Sequence, residues 1–146
     1  MQISSKFTVA VHILAGIALF DENTRPSSAN LAGSIGVNPV IVRNVLSMLK
    51  ASGIVETHRG SGENRLARLP EEITLYDIYM AVELIKEEGL FRFHEHPNPN
   101  CAVGRNIHAA LDGHLHAAQQ AMENSLRNVS LAQVIAEVNA CMQADK

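Results

Sequence analysis

The chain has 146 residues, 47% hydrophobic and only 4% aromatic, with no Trp. That suffices for one ordinary core, or a small domain with an oligomerisation element, packed by aliphatic helices. The net charge of −3 argues against nucleic-acid binding until the chain is divided: residues 1–69 carry seven Lys/Arg against four acids, a balance of +3, whereas 70–146 carry five against eleven, a balance of −6. Positive charge is thus concentrated where a phosphate backbone could be met, and the acidic remainder would turn away from it.

The first predicted helix covers roughly 4–20, apolar from Phe7 to Phe20 apart from Thr8 and His12. It is too short to span a bilayer. It also lacks a basic amino end beyond Lys6 and a small-x-small cleavage site before Asp21, so it reads as a buried helix with no membrane partner. The polar loop Asp21-Glu22-Asn23-Thr24-Arg25-Pro26 ends it.

Ser27-Ser28 can cap a second helix carrying Leu31, Ala32 and Ile35 on one face, which Gly36 closes. After the turn Val37-Asn38, Pro39 suits the first turn of a third helix over roughly 39–52. That helix turns Val42, Val45, Leu46 and Leu49 inward and Arg43, Asn44, Ser47 and Lys50 outward. Gly53 closes it. Ile54–Thr57 reads as a strand, His58-Arg59-Gly60-Ser61-Gly62 as a turn, and Arg65–Arg68 as a return strand, with arginines at the hairpin tip. Helix, turn, helix and basic hairpin make a winged helix-turn-helix, whose second helix enters the DNA major groove.

Thr74 is a good N-cap for a fourth helix with Ile78, Ala81, Val82 and Ile85 at helical spacing, ending by Gly89. The prolines of His94-Glu95-His96-Pro97-Asn98-Pro99-Asn100 mark a loop. From Ala102 to about Asn128, Val103, Ile107, Leu111, His114, Ala118 and Met122 recur at steps of three and four. A long helix with such a seam predicts a dimerisation helix, and two-fold pairing would double the half-site contacts of a single winged helix. Ser130 caps a last helix whose apolar face is Leu131, Val134, Ile135, Val138, Cys141 and Met142. The fold class is therefore mainly α with a small β-hairpin wing, divided into a winged helix-turn-helix domain over 1–90 and a loop, dimerisation helix and C-terminal helix over 91–146.

Each DNA-facing residue has a chemical role. Arg43 can grip guanine O6/N7 with two bonds, Asn44 or Asn38 can do the same to adenine, and Val40 can meet a thymine methyl; Pro39 and Ser47 share the face. Lys50 and Ser28 suit phosphate. Arg59, beside Ser61 and Gly62, is placed to enter a minor groove. No Lys follows Gly60-Ser61-Gly62 as a phosphate-binding loop requires. No acid pair or nucleophile–base set emerges either, so an enzyme is not expected.

The two cysteines, Cys101 and Cys141, make no disulfide framework and point to a reducing, cytoplasmic compartment. Cys101 directly precedes the long helix, where free N–H groups and the helix dipole favour a thiolate, with Arg105 expected to help from one turn on. It is the candidate redox sensor. Cys141, on the apolar face of the last helix, reads as an inert core thiol. His94-Glu95-His96 beside Cys101 offers zinc-type ligands, but loop histidines are usually plain surface, so no metal or cofactor is assigned. The rival readings are a metal- or ligand-responsive regulator of the same fold and a winged helix used as a protein-assembly module.

Four passages carry a family resemblance: ISSKFTVAVHILAGIAL, LAGSIGVNPVIVRNVLSMLKASGIVETHRGSG, RLARLPEEITLYDIYMAVE and NPNCAVGRNI. They cover nearly the whole chain and resemble the BadM-type (Rrf-two) transcriptional regulators. The resemblance implies a homodimeric bacterial repressor or activator of an inverted-repeat operator, with the long helices crossed in the dimer. Two departures stand out. The wing is one residue shorter than the family's Arg-Gly-x-x-Gly-Gly pattern and lacks the aromatic that follows it. Cluster-binding members carry three cysteines within a short span after the fourth helix, whereas this chain has Cys101 alone there, so the iron–sulfur cluster is not expected.

Overall fold

The computed structural model describes residues 3–20, 26–83 and 89–146. Among these residues six helices and one hairpin follow in order: α1 (Ser5–Leu19), α2 (Ser28–Ile35), α3 (Pro39–Ala51), β1 (Val55–Thr57), β2 (Asn64–Leu66), α4 (Leu75–Val82), α5 (Ala102–Arg127) and α6 (Leu131–Ala144), with a 3-10 turn at Pro70–Glu72 before α4. Among the described residues no single helix is long and apolar enough to cross a membrane.

The first helix is central because its apolar residues point several ways. Val9, Ala10, Ile13, Leu14 and Ala15 are all buried, and α1 packs against α2, α3, α4 and α6. Leu31 from α2, Val42, Val45 and Leu49 from α3, Ile54 before β1, and Ile78 and Val82 from α4 complete one core. Each such side chain contributes about 1.5–3 kcal/mol by leaving water. The Tyr79 ring is buried and meets Phe7 in a T-shaped contact, ring centres 6.1 Å apart.

Local chemistry sets the helix ends. The Ser27 hydroxyl accepts from the Asn30 N–H at 3.1 Å. Gly36 ends α2 in the left-handed region (φ 79°), and its N–H donates to the Ala32 carbonyl at 2.8 Å; a side chain there would strain the backbone. Reciprocal caps join Thr74 to Asp77 at the start of α4 and Ser130 to Gln133 at the start of α6.

Two expectations are corrected, the reach of the fourth helix and the burial of Cys141. The fourth helix does not run toward Gly89: it ends at Val82, with Glu83 extended and its carboxylate accepting from the Ser4 hydroxyl at 2.7 Å. Ile85 lies outside the described residues. The C-terminal helix folds onto the head through backbone bonds: the Leu75 N–H donates to Val129 at 2.9 Å and the Leu131 N–H to Ile73 at 2.7 Å. Leu131 is thereby wholly buried in the same core as α1 and α3. Cys141 is exposed, not a core thiol. Only the first turns of α6 (Leu131, then Ile135) enter the core, and by its last turn even Met142 is 53% exposed.

Candidate nucleic-acid interface

The turn between α2 and α3 is Gly36-Val37-Asn38. Asn38 is more than a turn residue: its Oδ1 accepts the Val40 N–H at 2.9 Å, capping α3. One lone pair of Oδ1 is thus committed to the cap, and the second lone pair and the Nδ2 group are left for other partners. Pro39 occupies the first turn of α3 and is half-buried.

Because Val42, Val45, Leu46 and Leu49 are buried, the helical repeat turns Val40, Asn44 and Ser47 directly outward, with Arg43 and Lys50 on one flank. All five are exposed. Among the described residues no side chain of the polar four forms a hydrogen bond or ion pair, so their side-chain donors and acceptors face solvent. Ser28 is the first residue of α2, half-buried.

In the hairpin, Glu56 faces Arg65 and Thr57 faces Asn64. Backbone bonds from His58 to Glu63 (2.8 Å) and from Gly62 to His58 (3.1 Å) close the tip. The Ser61 hydroxyl lies 3.3 Å from the His58 Nδ1 and is committed inside the loop. Of the hairpin arginines only Arg59 stands exposed at the tip. Arg65 lies on β2 beside the Glu63 carboxylate at 3.6 Å. Arg68 donates to the Glu72 carbonyl at 2.6 Å and lies 3.7 Å from Asp77, buttressing the wing from below. Asn64, whose sequence context gave no signal, is buried and its Nδ2 donates to the Pro26 carbonyl at 3.2 Å.

α5 is 26 residues long, about 39 Å, and buries no residue completely. One side meets the chain itself. The Leu90 N–H donates to Gln119 Oε1 at 3.0 Å, the Phe93 ring lies 4.4 Å from that of His108, and the Arg127 guanidinium sits 3.9 Å over the Tyr76 ring. The other side is open: Val103 is 70% and Leu111 37% exposed, with His114 and Ala118 also in solvent. Ile107 and Met122, assigned to the same seam, are half-buried.

Cys101 is the N-cap of α5 and its thiol is exposed. The Gly104 N–H, and next the Val103 N–H, hold it below the ordinary cysteine value against a small opposing effect of burial. Gly104 is needed there, since a Cβ would come within 2.6 Å of the Asn98 carbonyl oxygen. Arg105 does not supply the expected help: its guanidinium donates to the Pro99 carbonyl at 3.4 Å and is no cause of the thiol's shift.

Among the described residues no three His, Cys, Asp or Glu side chains come together as a metal site. His94 packs edge-on against His108 at 4.9 Å, and His96 lies 3.9 Å from Glu95 in solvent. With Cys101 starting α5 and Cys141 in the last turn of α6, two isolated thiols do not fit a thiolate-held iron–sulfur cluster.

Comparison with known proteins agrees with this geometry. A family model described as Rrf2, iron-dependent transcriptional regulator, matches residues 3–137. YwnA of Bacillus subtilis (strain 168), provisionally named an HTH-type transcriptional regulator, is 43% identical over 133 residues, covering 91% of this chain and 96% of its own. A crystal structure described provisionally as a DNA-binding protein is 37% identical, with a TM-score of 0.70 over 90% of this chain and 99% of its own. IscR of T. potens shares the fold at 19% identity, with a TM-score of 0.69 over 94% of this chain and 88% of its own.

Proposed function

The chain belongs to the Rrf2 family of transcriptional regulators, non-enzymatic DNA-binding proteins, and from that premise we propose that it is a cytoplasmic homodimeric repressor of an inverted-repeat operator, switched by oxidation of Cys101. The observation that carries the DNA-reading part is the outward face of α3, where Arg43, Asn44, Ser47 and Lys50 stand exposed beside a wing tipped by Arg59. Arg43 and Asn44 read bases; Lys50 and Ser28 meet phosphate and set register; Arg59, with the tip residues Ser61 and Gly62, approaches the minor groove.

Dimerisation is supported by the exposed Val103, Leu111, His114 and Ala118 of the seam, with Ile107 and Met122 half-buried along it. Apolar side chains on a helix that buries nothing fully in its own chain invite a partner. In this reading residues 1–90 read DNA, α5 within 91–146 pairs the protomers, and α6 folds back on the head. Redox switching is supported by an exposed thiol of lowered pKa at the foot of α5. The test is operator selection from random duplexes, then titration at several salt concentrations with and without peroxide. A steep salt dependence is expected from counterion release, with weaker binding after oxidation and rising transcription of an operator-driven reporter when the protein is removed. Binding without sequence preference would overturn the reading.

A further inference from the structure

The first turn of α3 exposes two neighbouring apolar side chains, Val40 (52%) and Ile41 (43%). Among the described residues no other exposed large hydrophobics are adjacent in sequence. At about 100° per residue, Val40 lies in line with Asn44 and Ser47, and Ile41 on the flank away from Arg43 and Lys50. Folding does not account for the pair. β-Branched side chains lose χ1 freedom in a helix, and in solvent they return little burial.

Both residues directly follow the Asn38 cap, at the N-terminal end of the helix, where helix-turn-helix proteins contact base edges. The apolar feature of the major groove is the C5-methyl of thymine. We propose that Val40 and Ile41 form a thymine-reading pair, closing on the C5-methyl groups of one or two thymines per half-site while Arg43 grips a neighbouring base. This deepens the contact open to Val40 alone into a two-residue patch, and it rests on α3 being the groove-entering helix.

The test isolates the methyl group. Half-sites are first obtained by selecting random duplexes with the protein. Each thymine is then replaced singly by deoxyuridine, which deletes the methyl and keeps every hydrogen-bonding group. Burying one methyl is worth about fourfold in affinity, so one or two positions per half-site are expected to show a loss of that size. The loss should disappear in Val40→Ala or Ile41→Ala, exposed changes that leave the core intact. No penalty at any thymine, or a penalty that both variants retain in full, overturns the pair and leaves the DNA-reading function standing. A selection that enriches no sequence overturns both.

Discussion

The buried amide of Asn64 donates to the Pro26 carbonyl at 3.2 Å, tying the tip-side end of the wing's ladder to the backbone that leads into α2. A two-stranded hairpin is marginal on its own, and this bond, with Arg68 anchored to Glu72 and Asp77, fixes its angle to the helix pair. Asn64→Ala removes the donor and strands a carbonyl. A loss of about 1–3 kcal/mol in denaturant unfolding is expected, with weaker operator binding under conditions where the variant is still folded. Unchanged stability would mean that the amide is replaced by water.

Arg43→Ala is expected to weaken specific binding by about 1–3 kcal/mol and to relax preference at one base of each half-site. The guanidinium is exposed on the outward side of α3 and needed by no described residue for folding, so the unfolding midpoint should barely move. An equal loss on operator and random duplexes would make it a phosphate contact instead.

What was legible in the sequence was mostly what local chemistry decides. Ser27, Gly36, Thr74 and Ser130 mark helix ends because a hydroxyl or a missing Cβ acts within a turn. The buried stripe of α3 followed from periodicity, and with it the exposed Arg43, Asn44 and Ser47. Contacts distant in sequence were not legible. Asn64 reads as an ordinary polar strand residue until Pro26 arrives beside it. The periodic residues of α5 do not reveal which side meets a partner and which side Leu90 and Phe93 cover. Cys141 shares a stripe with Leu131, yet only the beginning of that stripe reaches the core.

Leu111 lies at the middle of the open seam of α5, 37% exposed. Leu111→Glu should therefore leave the monomer's own fold intact, while a dimer would force two like charges into one apolar interface at a cost of several kcal/mol. Sedimentation is expected to show monomers with native helical content and lost operator binding. A dimer of unchanged mass would move the interface off this seam.

Cys101 is expected to be the more reactive of the two cysteines. Both thiols are exposed, so access does not separate them. What distinguishes Cys101 is its place at the start of α5, where the Gly104 and Val103 N–H groups stabilise the thiolate. Alkylation should be faster at Cys101 than at Cys141, and its rate should persist to lower pH in the folded protein than in denaturant. The folded pKa is depressed, so any stability the thiolate contributes is present above the unfolded value and is lost as pH falls through the lowered one. Oxidation to a sulfenic acid or an intersubunit disulfide changes a side chain at the foot of the dimer helix, and a thiol reductant should reverse it. Cys101→Ser is expected to keep basal operator binding and lose the response to peroxide. If that variant responds as the parent does, the thiol is structural and the signal enters elsewhere.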